Sequence, residues 1–494
     1  MRPLDQVQDP EELRARARAA EASLVELTDR LDRVFRTLGK SEAEKQQVLA
    51  EVRAAAERAG RAVGVPGHSS EKRPHTDKKP KEKQPQTGHG PTEQTHLPVV
   101  EEPVQKLDEA DCTCPKCGEA LEEWEGHFEE SEEIDVVVRQ HVRKLKRRQK
   151  YRCSCGQIES PLAEPRVVPG GRYSNEFALQ VAVNKHLDHL PLERQVRMME
   201  REGLEVTSQT LWDQELALYR LLKSAKDRLK EYLLHRPVLG VDETRWPVFG
   251  KETKNWTMWC VADQYGVFYD ILEGRGGEQA QAVLKDYQGQ LMVDGYVVYE
   301  WLARGSLGLL LAFCWAHVRR HFQEIETSFP VEVKQVLDLI GQLFAIEKEA
   351  TSVEDLAEKR RTKSRAVTEE IYRFLTTTPS TPGSGLRKAM SYVANRWTGL
   401  TRFLDNPAIP LTNNATERAQ RGPVVGRKVF YGSHSKQGTE VAAVFYSLVE
   451  SAKLCGLNPV AYLRIAMNTA LAGEQIPLPH EVMGREDLRL ISSN

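Results

Sequence analysis

Apolar positions change their period several times along this chain, and each change predicts an element. Between residues 9 and 63 the spacing is helical. Leu24, Leu31 and Leu38 lie seven apart with Leu27 and Val34 interleaved, the a/d seam of a short coiled coil. Asp9-Pro10-Glu11-Glu12 supplies a helix start. Gly39 interrupts the seam, and Ser41-Glu42-Ala43-Glu44 restarts a helix with Val48, Leu49 and Val52 on its apolar side. Such a segment either self-associates or closes on itself as a small helical hairpin. The pattern then vanishes: between Pro66 and Pro91 there is no aromatic residue, Val, Ile or Leu. Residues 64–98 cannot bury enough apolar surface to offset their ordering entropy, and they read as a disordered linker. Helical spacing returns over 172–235. Ser174 caps a helix over 175–186, a second covers 191–202, and after Gly203 a third opens at Thr207-Ser208-Gln209-Thr210 with Leu211, Leu216 and Leu218. That order is compatible with a helix-turn-helix and equally with an ordinary helical bundle.

From residue 237 the period shortens to two. The stretches 237–249, 255–262 and 267–272 carry Val, Ile, Trp, Tyr and Phe and predict three strands. A helix over 277–287, a strand over 290–293, a short helix over 296–304 and a strand over 307–314 follow. This β-β-β-α-β-α-β order, completed by a later helix, matches an α/β ribonuclease-H-like core in which the first and fourth strands are neighbours. Amphipathic segments from about 316 to 404 predict a helical insertion. Helices at about 438–455 and 459–472 close the chain, separated by Gly456 and Asn458-Pro459. The organisation is thus a helical segment (1–63), a linker (64–98), a cysteine-bearing module (99–165) and a helical module (166–236). An α/β domain with its insertion (237–435) and a C-terminal helical segment (436–494) complete it.

Charge and cysteine content refine this picture. The formal net charge is -2, so any affinity for nucleic acid must be local. The N-terminus lacks the apolar core of a secretory signal and no run is apolar enough to span a bilayer, so a cytoplasmic, nucleoid-associated protein is expected. Five of the eight cysteines fall between 112 and 155. Cys114-Pro115-Lys116-Cys117 and Cys153-Ser154-Cys155 form two pairs that suit a structural Zn²⁺ site in a reducing compartment, with Cys112 as a fifth candidate. Between the pairs, residues 139–152 hold eight Lys or Arg and no acid. Arg143, Lys144, Lys146, Arg147, Arg148 and Lys150 of this strip are candidates for contact with DNA phosphates.

Three acids carry the candidate chemistry. Asp242 and Asp294 each follow a short β-rich run, and Glu417 lies in a polar helical stretch. Singly, an Asp after a strand is most often a turn former. Together, carboxylates at strand ends and one from a helix can hold two Mg²⁺ (or Mn²⁺) ions, which clamp the attacking and leaving oxygens of a phosphodiester. Glu243 is expected on the opposite face of its strand. His317 either orients water or phosphate, or makes a structural hydrogen bond at a helix start. Arg319, Arg320, Arg418, Arg421, Arg427 and Lys428 are candidate DNA-backbone contacts. Trp246, Trp256, Trp259 and Trp315 are expected in the core.

In combination, HLDHLPLERQ, VDET, VDGYVVYEWL, FCWAHVRRHF and LTNNATERAQR followed by GRKVFYGS resemble the IS66-family transposases of bacterial insertion sequences. The resemblance implies a DDE triad at Asp242, Asp294 and Glu417, zinc-finger cysteines at Cys114, Cys117 and Cys153, and a helical insertion between the second Asp and the Glu. Cys155 departs from the family's usual spacing. It further implies binding of terminal inverted repeats, Mg²⁺-dependent strand cleavage and strand transfer, homo-oligomerisation on DNA, and accessory proteins encoded nearby. Two other functions fit the same residues: a DNA-binding regulator with an inactive nuclease domain, and a ribonuclease-H-like, structure-specific nuclease.

Overall fold

The computed structural model describes residues 140–489 except Gly156 and residues 250–255, together with isolated positions between 99 and 134. The expected coiled coil and linker, residues 1–98, lie outside the described residues. The chain divides into two units, 1–131 and 132–494. In the first, the described positions include a turn around Cys114, where the amide of Gly118 donates to the Cys114 carbonyl at 2.9 Å.

The second unit begins with a two-residue antiparallel pair, Tyr151–Arg152 with Ile158–Glu159. Helices α1 (Asn175–His186), α2 (Leu192–Arg201) and α3 (Ser208–Leu234) follow. The hydroxyls of Ser174 and Thr207 accept from the amides of Phe177 and Thr210, each at 3.2 Å, so α1 and α3 start where the capping residues predict. Helix α3 is 27 residues long. Leu211, Leu218, Leu222, Ala225, Leu229 and Leu233 form one buried stripe along it.

The sheet has five strands: β1 (Val238–Trp246), β2 (Trp256–Ala262), β3 (Val267–Glu273), β4 (Gly289–Val293) and β5 (Leu309–Phe313). Their order is β3-β2-β1-β4-β5. The first three are antiparallel, while β1–β4 and β4–β5 are parallel. The first and fourth strands are therefore neighbours, as expected. Helices α4 (Gly277–Leu284) and α5 (Val297–Arg304) make the crossovers. Alternation along β1 sends Leu239 and Val241 into the core shared with α3, α4 and α5, while Trp246 packs on the other face.

The insertion comprises α6 (Trp315–Gln323), α7 (Pro330–Glu349), α8 (Val353–Lys359), a π-helical turn (Arg360–Ser364), α9 (Arg365–Thr377), α10 (Gly385–Asn395) and α11 (Trp397–Thr401). Buried Arg360 pins it, pairing with both oxygens of Glu347 at 2.7 and 2.6 Å and donating to the Phe403 carbonyl at 2.9 Å.

The chain then forms α12 (Asn414–Ala419), α13 (Arg421–Phe430), α14 (Lys436–Leu454) and α15 (Pro459–Leu471). Helix α14 covers the second face of the sheet. Its Ser447 and Ser451 hydroxyls accept from the amides of Tyr269 and Val267 at 2.9 Å, satisfying donors on edge strand β3. Helices α1, α3, α14 and α15 share one apolar core. Among the described residues no helix is long and apolar enough to cross a membrane. Trp246, Trp259 and Trp315 are fully buried and Trp256 is half-buried.

Candidate active site

The site is assembled where β1, β4 and α12 meet. In the parallel ladder Gly240 stands opposite Met292, so two residues further along Asp242 and Asp294 come up side by side. Asp242 was expected after a β-rich run and also inside the predicted strand 237–249, and the structure bears out the second. It lies inside β1, opposite Cys260 of β2, because the antiparallel pairing with β2 continues to Trp246 after the parallel pairing with β4 has stopped at Gly240. Asp294 does follow the end of its strand.

Gly240 lets α12 approach. A Cβ there would lie 2.1 Å from the Thr416 hydroxyl and 2.8 Å from the Asn413 side-chain oxygen. Buried Asn413 donates from Nδ2 to the Val241 carbonyl at 2.8 Å and from its amide to the Cys314 sulfur at 3.3 Å. One turn beyond, the Glu417 amide donates to the Asn413 carbonyl at 3.0 Å. The short helix that carries Glu417 is thus bolted to the strand that carries Asp242.

Electrostatics register the convergence. Burial pushes the Asp242 carboxyl up to about 8, and the charges of Glu243, Asp294 and Glu417 push in the same direction. The Glu243 amide, donating to Asp242 Oδ1 at 2.9 Å, partly opposes the rise. Among the described residues no Lys or Arg forms an ion pair with Asp242, Asp294 or Glu417; His317 Nδ1 is 3.9 Å from Glu417 Oε1. A partly buried group of acids without an ion-paired Lys or Arg fits divalent cations with oxygen ligands.

Glu243 points to the reverse face of β1, as expected. It is buried, pairs with Arg275 (Nε to Oε1 3.1 Å) and accepts from the Tyr299 hydroxyl. The Arg275 guanidinium lies 4.1 Å from the centre of the Tyr296 ring, and the Tyr296 amide donates to Asp294 Oδ1 at 2.8 Å. The back of the sheet is thereby tied to the turn that presents Asp294. The insertion grips that turn from the other side. The Tyr392 hydroxyl donates to the Asp294 carbonyl at 2.8 Å, and Arg396 donates to the Gly295 carbonyl at 3.2 Å. Gly295 has φ of 101°, a left-handed conformation that L side chains rarely adopt.

Sequence reasoning missed Asn413, Arg275, Tyr392 and Arg396. Asn413 lies within the LTNNATERAQR motif, which offered a signal; the other three are recognisable only from tertiary contacts.

The candidate DNA contacts divide. Arg143, Lys144, Arg147 and Lys150 are exposed. Lys146 pairs with Glu164, and Arg148 donates to the Pro161 carbonyl at 3.0 Å. Arg319 and Arg320 are exposed on α6, Arg418 on α12, and Arg421 and Lys428 on α13. Arg427 turns inward, donating to the Thr244 hydroxyl at 2.9 Å and to the Arg245 carbonyl. In this structure it fastens α13 to β1.

Each cysteine pair forms a local knuckle. Amides of Lys116 and Cys117 directed at the Cys114 sulfur hold its thiol below the ordinary range. The Cys155 amide and thiol do the same for Cys153. Cys117, Cys153 and Cys155 are exposed; Cys112 and Cys114 are half-buried.

The mixed α/β sheet thus carries a group of three carboxylates flanked by helices bearing exposed arginines. The sequence profile described as "Transposase IS66 family" matches residues 170–441, more than half of the chain and inclusive of all three acids. In Sinorhizobium fredii (strain NBRC 101917 / NGR234), uncharacterized protein y4jD is 31% identical over 76% of this chain and 78% of its own length. Uncharacterized protein y4qI of the same organism is 30% identical over 74% of this chain and 72% of its own. The chain belongs to the IS66 transposase family.

Proposed function

We propose that this protein is the DNA transposase of an insertion sequence, with a ribonuclease-H-like core whose Asp242, Asp294 and Glu417 hold two Mg²⁺ (or Mn²⁺) ions. The reading is carried by one observation: Asp294 and Glu417, 52 and 175 residues beyond Asp242, are brought toward it by the parallel pairing of β1 with β4 and by the Asn413 bond that fastens α12 to Val241. Family membership supports the transposase activity. When bound, a pair of such ions activates water and stabilises charge on the attacking and leaving oxygens of a phosphodiester.

The chain's own residues divide the remaining work. Asp242, within β1, would contribute to holding both ions, and Asp294 and Glu417 would each help to hold one. His317, beside Glu417, orients the water or the scissile phosphate. Exposed Arg319, Arg320, Arg418, Arg421 and Lys428 position the DNA backbone near the acids, and the strip from Arg143 to Lys150 supplies further phosphate contacts. The cysteine knuckles at 114–117 and 153–155 are assigned as structural Zn²⁺ ligands. Assembly as a homo-oligomer on paired element ends, with accessory proteins, follows the family.

The test is cleavage of DNA bearing the element's terminal repeat, followed by strand transfer into a target plasmid. Asp242→Asn, Asp294→Asn and Glu417→Gln are expected to abolish both reactions while retaining end binding. Undiminished cutting by these variants would refute the assignment. Cutting that follows DNA shape instead of end sequence, without joining, would favour a structure-specific nuclease. Sequence-specific binding by a wild type that never cuts would favour a regulator.

A further inference from the structure

A second, softer cation site lies beside the carboxylates: we propose that Cys314, His317 and Glu417 bind one Zn²⁺, and that its binding withdraws Glu417 from the Mg²⁺ cluster. The second half of this proposal rests on the catalytic reading above; the first does not.

The ligand atoms already converge. One atom from each of the three side chains lies within 4.8 Å of the other two. Tetrahedral Zn²⁺ with bonds of about 2.0–2.3 Å places its ligand atoms roughly 3.3–3.8 Å apart. The His317 Nδ1 to Glu417 Oε1 distance, 3.9 Å, is close to that range. Cys314 is the N-cap of α6 and His317 stands three residues later, so both come from one helical turn. Glu417 reaches in from α12.

Three features favour a cation at this spot over a packing accident. His317 Nδ1 is screened from solvent and has no hydrogen-bond partner, so a lone pair or N–H is left unused. The Asn413 amide donates to the Cys314 sulfur, the kind of outer hydrogen bond that orients and stabilises a metal-bound thiolate. The backbone on both sides is fixed, because the Cys314 amide donates to the Val293 carbonyl at 3.2 Å and the Trp315 amide donates to the Leu411 carbonyl at 2.9 Å.

Donor chemistry selects the metal. Mg²⁺ demands oxygen ligands in an octahedron, whereas a thiolate, an imidazole and one carboxylate suit a tetrahedral ion with an open fourth position. Glu417 belongs to both sets. Drawn toward Cys314 and His317, its carboxylate no longer faces Asp242, so the two occupancies compete and zinc acts as a brake on cleavage.

The experiment uses the full chain equilibrated with Zn²⁺ and freed of loosely bound metal by gel filtration. Zinc per chain is measured for the wild type, Cys314→Ser, His317→Ala and Glu417→Ala, each checked for folding by circular dichroism. The wild type is expected to hold one more zinc than each variant, with any zinc on the N-terminal knuckles common to all. Glu417 and His317 are partly exposed, so their variants keep the test alive if Cys314→Ser fails to fold. Equal zinc in all four proteins overturns the site. In the cleavage assay, Zn²⁺ should slow the wild type in a manner reversed by excess Mg²⁺, and the ratio of rates with and without zinc should recover at least about tenfold in Cys314→Ser. One extra zinc with no slowing of an active wild type overturns the competition. An extra zinc on a wild type that never cuts contradicts the catalytic reading and leaves the zinc site supported.

Discussion

Replacing Asp242 by Asn should abolish chemistry and yet stabilise the Mg²⁺-free protein, increasingly so as pH rises. The Asp242 carboxyl moves from an ordinary 3.8 to about 8 in the fold. A raised carboxyl pKa means that between those values the folded chain holds a proton that the unfolded chain releases. Stability is therefore unaffected by this group below about pH 4, falls as pH climbs toward 8, and has lost its full share beyond that. The rise from 3.8 to about 8 would cost at most about 6 kcal/mol, at roughly 1.36 kcal/mol per tenfold change in proton affinity. The carboxylate is only partly enclosed, and solvent screening reduces this to roughly 2–3 kcal/mol. An amide of the same shape cannot ionise, so it removes the like-charge repulsion from Glu243, Asp294 and Glu417. Thermal melts of wild type and Asp242→Asn in Mg²⁺-free buffer at pH 5 and pH 8 provide the assay. At roughly 2–4 °C per kcal/mol, the variant should melt several degrees higher at pH 8 and show a much smaller gain at pH 5. Added Mg²⁺ should raise the wild type and leave the variant unmoved. A variant less stable than wild type at pH 8, or a difference independent of pH, would refute the reasoning.

Other substitutions probe the supports of the site. Gly240→Ala should cost about 1–3 kcal/mol by overpacking and should lower cleavage further than stability alone explains, because α12 must retreat from β1; adding Thr416→Ala should recover part of both, read by melting and cleavage rate. Glu243→Gln removes the largest neighbouring charge acting on Asp242, so the pH dependence of the Mg²⁺-free melt should shift to lower pH; an unchanged profile would show that the two carboxylates are not coupled. Arg427→Ala should lower stability by about 1–3 kcal/mol with little change in the salt dependence of DNA binding, whereas Arg421→Ala or Lys428→Ala should reduce the salt slope by about 1. Tyr392→Phe should cost about 1 kcal/mol and slow cleavage by loosening the Asp294 turn, without weakening end binding in filter-retention assays.

The α/β core was legible because its signals are local. Alternating Val, Trp and Tyr in 237–272 mark strands, and Thr207 and Asn458 mark helix starts that the structure reproduces. The neighbouring of β1 and β4 followed from element order. The position of Asp242 within β1 was legible from the alternation over 237–249, whereas its pairing opposite Cys260 of β2 was not. The shared core of α1, α3, α14 and α15 was equally hidden, because some 200 residues separate its two halves. Arg427 shows the limit for charged residues. Nothing in GRKVF distinguishes an arginine that reaches DNA from one that bonds a strand backbone, whereas its bond to Thr244 does. Cys314 is buried, and only the approach of α12 reveals its sulfur beside His317 and Glu417.

The most direct test is to locate the cations themselves. Crystals of the full chain bound to end DNA, soaked in Mn²⁺, should give two anomalous-scattering peaks about 3.5–4 Å apart, bridged by Asp242 and flanked by Asp294 and Glu417. Peaks ligated by other residues, with these three carboxylates left without metal, would contradict the account.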